Sequence, residues 1–217
     1  MARIGTGNNW AQGPLLANGT MGTWSAHFFL RVGHNAGTAA IRKALAFREG
    51  TGGSPQIDMG FSYDHTGAAF SQAAYWRNNS AAYFSAKLTT ALLANTTYAI
   101  GVSLDGSNLR AYLNGALETT TPLTGVTIGV GCTPAVLNSI LGTEQLADGE
   151  IAEVGIWSNA VLTADEFSAL SNGFTPPKIR PASLIQYVPF VRNNVNLKEA
   201  AWTDTGTPAW SDHPRVF

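Results

Sequence analysis

The 217-residue chain reads as all-β: an antiparallel β-sandwich of jelly-roll type, with one short helix near 163–172. Three observations predict this. Apolar residues alternate with small or polar ones at the two-residue period of half-buried strands. Asn114-Gly115 lies between two such runs and marks a tight hairpin, because a type I′ turn needs positive φ at both central residues. The sequence around the helix carries complete start and stop signals.

The elements follow in order. Residues 1–23 look irregular. Trp24, Ala26, Phe28, Leu30 and Val32 alternate with Ser25, His27, Phe29 and Arg31, predicting a long strand. A strand is expected near Lys43–Glu49, then a GTGGSP loop. Ile57, Met59, Phe61 and Tyr63 alternate with Asp58, Gly60 and Ser62. Further strands fit Ala69–Arg77 and Ala82–Leu88. Tyr98, Ile100, Val102 and Leu104 lead through the Asp105-Gly106-Ser107-Asn108 turn into Leu109, Ala111 and Leu113, so two turns link three strands. Gly149 to Trp157 forms a late strand.

The helix follows. Thr163 and Glu166 form a capping box, with Leu162 and Phe167 as hydrophobic staple and Gly173 as the stop. TPPKIRPAS (175–183) is expected to be a stiff, extended connection. SLIQYVPF (183–190) reads as one more strand, with Pro189 at its end. The whole chain reads as one domain, 1–217, in which 176–217 either completes the sandwich or forms an arm that docks on a partner. Lys178, Arg180, Arg192, Lys198 and Arg215 make that segment mildly basic against Glu199, Asp204 and Asp212.

Composition excludes several functions. Charged residues are 12% and net charge is −1, too little positive field for nucleic-acid binding through phosphates. No apolar run approaches a membrane span, and the first ten residues hold no signal-like apolar stretch. Cys132 has no partner cysteine and is expected to be a small buried side chain.

The 98–173 region resembles the laminin-G-like branch of the concanavalin A-like lectin/glucanase superfamily. The resemblance rests on Asp105-Gly106-Ser107, Tyr112-Leu113-Asn114-Gly115, the Gly149–Trp157 strand and Leu162 to Glu166. Leu184-Ile185-Gln186-Tyr187-Val188-Pro189-Phe190 is similar to a strand that opens the domain in many relatives, so the C-terminal segment is expected to fill that place, as in a circular permutation. A late segment of this kind is similar to lectin-like proteins of bacteriophage virions.

The superfamily's glucanases imply closely spaced carboxylates. Glu150 and Glu153 are the nearest candidates, but a three-residue step on a regular strand puts them on opposite faces. No serine elbow, zinc-binding His-Glu-x-x-His or phosphate loop occurs. The four histidines (His27, His34, His65 and His213) are scattered. Many relatives hold Ca²⁺; Asp105, Asn108, Asn138 and Asp148 offer loop oxygens, but turn formation accounts for Asp105 without a metal. The expectation is therefore no enzyme and no cofactor.

Sugar binding needs exposed rings beside polar side chains. Tyr75, Trp76 and Asn78, with Tyr83 and Tyr112, are the candidate glycan or partner contacts, the alternative being that these rings are core. Lys178, Arg180, Arg192 and Arg215 are the candidate docking residues.

The resemblance implies a non-enzymatic, lectin-like decoration subunit on a bacteriophage capsid. It would be assembled in the bacterial cytoplasm, displayed on the virion surface, and partnered by a major capsid protein within an oligomer or larger assembly. A carbohydrate-binding module of a tail fibre or cell-surface protein is the alternative, and a glucanase-like hydrolase the third reading.

Overall fold

The computed structural model describes residues 2–5, 10–13, 23–32, 42–49, 57–63, 72–78, 82–124, 132–138, 149–190, 197, 202–205 and 209–211. Their strands build two antiparallel sheets. The first runs β10 (Ala116–Pro122), β9 (Asn108–Leu113), β8 (Thr97–Leu104), β3 (Trp24–Val32), β12 (Gly149–Ser158), β1 (Ala2–Gly5) and β15 (Ala209–Ser211). The strand β13 (Leu184–Val188) also pairs with β12. The second runs β14 (Thr203–Thr205), β2 (Trp10–Gln12), β11 (Cys132–Asn138), β4 (Arg42–Glu49), β5 (Ile57–Tyr63), β6 (Ala73–Asn78) and β7 (Tyr83–Lys87). This is the antiparallel sandwich read from the sequence.

The alternation works as expected. Phe28, Leu30, Ile100, Val102, Ile151 and Ile156 of the first sheet share one apolar cluster with Leu45, Phe47, Met59, Phe61 and Trp76 of the second. Trp24 packs at 4.8 Å on Phe47, and Phe28 meets Phe61 edge-on at 6.1 Å, so aromatic pairs couple the sheets. Cys132 is fully buried.

The hairpin turns as Asn114-Gly115 demands, with φ of 49° and 84°. Gly115 has a second reason to lack a side chain: a Cβ there would lie 2.6 Å from Ser168 Cα of the helix. That helix, α1 (Ala164–Ser171), carries the expected capping box. Thr163 N–H donates to Glu166 Oε2 at 2.8 Å, and Glu166 N–H donates back to Thr163 Oγ1 at 3.2 Å. At its end Gly173 N–H reaches Leu170 O and Phe174 N–H reaches Ala169 O, the paired bonds of a Schellman stop.

Helix α1 covers the outer face of the first sheet. A second apolar cluster joins Phe167, Leu170 and Leu162 to Tyr112, Trp157, Leu184 and Tyr187. The Phe167 ring stacks on Tyr112 at 4.1 Å. Ser25 ties the approach to the helix onto β3, donating to Ala160 O and accepting from Leu162 N–H.

One connection differs from expectation. Residues 175–183 are not extended: Pro176–Lys178 form a 3-10 turn and Arg180 starts a second turn through bonds from Ser183 and Leu184. Proline's fixed φ suits the first positions of a helical turn as well as an extended chain. Packing decides here, because Pro176 is buried against Gly155 and Ile179 O accepts from Trp157 Nε1 at 2.8 Å.

Two outcomes test this layer. Phe167→Ala is expected to lower stability by about 3–5 kcal/mol, as for a buried aromatic truncated to a cavity, and Thr163→Ala by about 1 kcal/mol, both read by urea unfolding. Acid should also destabilise the fold. Burial pushes the Asp105, Glu118 and Glu166 carboxyls up, but hydrogen bonds outweigh it and leave all three below the ordinary carboxylate range. Their donors are Ser107, Arg110 and Asn108 for Asp105, Thr89 and Thr90 for Glu118, and Arg180 and Thr163 for Glu166. Depressed folded-state values mean this stability is complete above the unfolded range near pH 4 and is lost as pH falls through the folded values. The melting temperature should drop below about pH 4, and less steeply in Glu118→Gln.

Candidate functional site on the outer face of the second sheet

Helix α1 covers the first sheet's outer face around Tyr112, Trp157 and Tyr187, and the second sheet's outer face carries a buried charge network. In β4, β5, β6 and β7, the residues that alternate with the core set point away from the first sheet. Three rows result from the register. Asp58, Arg77 and Tyr83 form one, Gly60, Tyr75 and Ser85 the next, and Lys43, Ser62, Ala73 and Lys87 the third.

Asp58 is the centre. Its carboxylate is fully buried and takes Lys43 Nζ at 2.7 Å, Tyr75 Oη–H at 2.9 Å and Arg77 through Nε at 2.9 Å and Nη2 at 2.7 Å. Lys43, 3% exposed, spans the Gly60 row to reach it and lies 5.6 Å over the Tyr75 ring. Gly60 adopts φ 152°, and a Cβ there would sit 2.1 Å from Leu45 O, so this floor must stay bare. The network closes at Asp58 and opens at its edge, where Arg77 keeps 33% of its side chain exposed and Tyr83 is half-buried. Burial pushes the Tyr83 phenol up to about 12; Arg77 and Ser85 oppose this and Asp58 adds to it. Tyr83 is therefore a neutral O–H at physiological pH.

The sequence candidates divide. Tyr75 and Trp76 do point to opposite faces, but both are withdrawn from solvent. Trp76 is 1% exposed inside the sandwich, against Phe84, and its Nε1 has no hydrogen-bond partner among the described residues. Tyr75 is 2% exposed and spent on Asp58. Tyr112 lies under α1 against Phe167, so its ring is no platform either. Strand alternation specifies a face but not what packs over it. Asn78 pairs with Ile57 at the end of β6, and its side chain lies outside the description. Of these candidates Tyr83 alone, among the described residues, is only half-buried.

The proposed docking residues behave differently. Arg180 Nε donates to Glu166 Oε1 at 2.6 Å, so it closes the capping box of the chain's own helix. Lys178 Nζ lies 5.9 Å from the Phe174 ring. Arg192 and Arg215 lie outside the described residues, as do His34, His65, His213 and Asp148. The described strands of 176–217 pair within both sheets: β13 on β12, β15 on β1, β14 on β2.

The carboxylate pair needs one correction. Glu150 and Glu153 are not on opposite faces, because β12 carries a bulge between Ala152 and Gly155 and Glu153 takes φ 53°. The extra residue turns Glu153 to the outer face of the first sheet, where it accepts from Tyr187 Oη at 2.7 Å. Glu150 is held by Arg31 at 2.8 Å. Each carboxylate thus has its own partner, and Glu153 is 4% exposed. His27, on the same face, is 1% exposed and edge-on to Phe29. Asp105 bonds its own turn and Arg110. Among the described residues no group of three or more His, Cys, Asp and Glu side chains is placed to hold a metal ion.

Residues 5–168 match the sequence model of the laminin-G-like family within the concanavalin A-like lectin/glucanase superfamily. The chain belongs to this family. No match was found among curated proteins. Solved structures share the sandwich. A candidate carbohydrate-binding protein from Bacteroides ovatus aligns over 99% of this chain and 61% of its own length, at TM-score 0.71 and 16% identity. Tailspike protein 2 of the Escherichia coli O157:H7 bacteriophage CAB120 aligns over 88% of this chain and 26% of its own, at 0.63 and 12%. A sialidase from Trypanosoma rangeli aligns over 79% and 26%, at 0.53 and 14%. At these identities the likeness is one of fold, and the chain spans less than two thirds of each neighbour's length.

The Asp58 centre makes a sharp prediction for this laminin-G-like domain. Asp58→Asn removes the buried carboxylate charge that Lys43 and Arg77 share and is expected to cost about 3–5 kcal/mol in chemical denaturation. Replacing Lys43→Met together with Asp58→Leu should recover only part of that loss, because Arg77 and Tyr75 still lose the carboxylate.

Proposed function

We propose that this chain is a non-enzymatic, lectin-like module that binds carbohydrate on the outer face of the second sheet. One observation carries the reading: at the edge of that face the half-buried Tyr83 lies in register beside Arg77, which is one third exposed and held on Asp58. A ring with adjacent planar polar groups is what a sugar's C–H face and hydroxyls require. Family membership and the likeness to a candidate carbohydrate-binding protein support it. The separate commitment of Glu150 to Arg31 and Glu153 to Tyr187 supports a binding role over hydrolysis, which needs two carboxyl groups about 5–10 Å apart across one substrate.

The setting we propose is the surface of a bacteriophage particle, assembled in the bacterial cytoplasm. The chain would act there as a decoration subunit against a major capsid protein, in an oligomer or larger assembly and without a cofactor. Low charge and the sandwich shared with a phage tailspike support this setting. A carbohydrate-binding module of a tail fibre or cell-surface protein draws equal support from the same face.

A glycan array with the purified chain tests the binding. Saturable binding is expected, weakened about tenfold or more by Tyr83→Ala and unchanged by Lys178→Ala. Absence of binding to any glycan would overturn the reading, and release of reducing ends from a bound glycan would overturn its non-enzymatic part. Mass spectrometry of purified particles checks the setting.

A further inference from the structure

Strand β13 brings a polar side chain into the layer between the sheets. Gln186 is fully buried there, opposite Ile156 of β12. Among the described residues the other buried polar side chains lie on the outer faces, as Ser25, Lys43, Asp58 and Glu153 do. Gln186 Oε1 accepts from Trp202 Nε1 at 2.8 Å. Trp202 stands immediately before β14 of the second sheet, so this bond crosses from one sheet to the other. Its buried indole meets Phe190 edge-on at 5.7 Å and fills a slot whose floor is Gly13, where a Cβ would lie 2.7 Å from the ring. The other end of the amide, Gln186 Nε2, has no hydrogen-bond partner among the described residues.

We propose that the Gln186–Trp202 hydrogen bond is a register lock. It fixes which residue of β13 stands opposite which residue of β12, and so seats the C-terminal strands in the sandwich.

Three physical features carry this. First, burial alone does not set the register of β13. Leu184 and Tyr187 join the cluster beneath α1, while Ile185 and Val188 pack on the core between the sheets. A slip by one residue turns every side chain to the other face, which a half-polar strand cannot tolerate. Here such a slip exchanges one apolar side chain for another. A slip by two keeps the faces and places Leu184 or Val188 opposite Ile156. The pairing is already irregular, since its register shifts between Ile156 and Trp157. Secondly, only the observed register gives Trp202 an acceptor. Every slip described leaves a buried indole N–H unpaired, which disfavours it by roughly tenfold or more in population. Thirdly, the amide is a poor choice for stability. Its Nε2 is buried without a partner, and an apolar side chain of similar volume would avoid that cost. Fixing a register is the best-attested use of a lone polar group in an apolar layer.

The test separates uniqueness from stability, using the full chain. Amide and indole nuclear magnetic resonance spectra are recorded for the unaltered chain, for Gln186→Leu and for Trp202→Phe, and each is unfolded in urea. The unaltered chain is expected to give one set of signals for 184–188 and one Trp202 indole signal that exchanges slowly with solvent. Gln186→Leu should give a second set for 184–188 in about a tenth or more of the molecules, with a urea midpoint no lower than that of the unaltered chain. Trp202→Phe keeps a ring in the slot but removes the donor, and it should also give a second set. If Gln186→Leu does not fold, Trp202→Phe decides by the same signals. A single set of signals in both variants overturns the lock. A lowered urea midpoint with a single set in Gln186→Leu also overturns it, because Gln186 then adds stability without choosing a register.

Discussion

Strand β12 has no face to give to solvent, and most of the architecture follows from that constraint. From Gly149 to Trp157 nearly every residue is buried. Ile151, Val154 and Ile156 belong to the core between the sheets, while Trp157 belongs to the cluster beneath α1. A strand apolar on both sides must be central and covered twice. The second sheet supplies one cover. The other is supplied by the capped helix and by the Pro176 turn, which is why that turn is compact and why its Ile179 carbonyl satisfies the Trp157 indole.

The edges show how the two sheets are joined. At one edge, β10 of the first sheet bonds β7 of the second through side chains: Thr119 Oγ1 donates to Lys87 O and Thr121 Oγ1 to Ser85 O. Glu118 accepts from Thr89 and Thr90 close by. Hydroxyls therefore satisfy carbonyls that an edge strand would otherwise present to another chain. At the other edge the two ends of the chain pair with each other. Ala2 stands opposite Ser211 and Ile4 opposite Ala209 in the first sheet, and Trp10 opposite Thr205 and Gln12 opposite Thr203 in the second. The family match ends at residue 168, yet β13, β14 and β15 all sit within these sheets. The described strands after Pro176 thus pair within the two sheets.

The fold was legible because its signals are local. Asn114-Gly115 turns as its φ preference requires, Thr163 and Glu166 cap each other, and the alternation of 24–32, 57–63 and 98–104 sorts core from outer face. The site was legible only in part, because it is non-local. Tyr75, Trp76 and Tyr112 stand out in the sequence as rings, but burial removes all three from the surface. The residues that organise the face carry no local signal in the sequence. Asp58 and Lys43 come from different strands, and their meeting depends on a register that short motifs do not encode. The signal available was a charged residue on the polar side of each of three neighbouring strands: Lys43, Asp58 and Arg77. Reading it required knowing that those strands are neighbours.

By itself the sequence determined the class of fold, the hairpin, the helix with both its ends, and the family, since each depends on backbone preferences within a few residues or on a motif in continuous chain. The tertiary structure alone decided how far each face is withdrawn from solvent: on the second sheet's outer face Lys43, Asp58, Ser62 and Tyr75 are all buried. A strand's period assigns side chains to two sides but cannot say which side another layer will cover. It also decided the place of Glu153, where one bulged residue broke the alternation and moved a carboxylate to the other face. Finally it decided the grouping of Lys43, Asp58, Tyr75, Arg77 and Tyr83, because a buried carboxylate must find its counter-charges in space, whatever their separation along the chain.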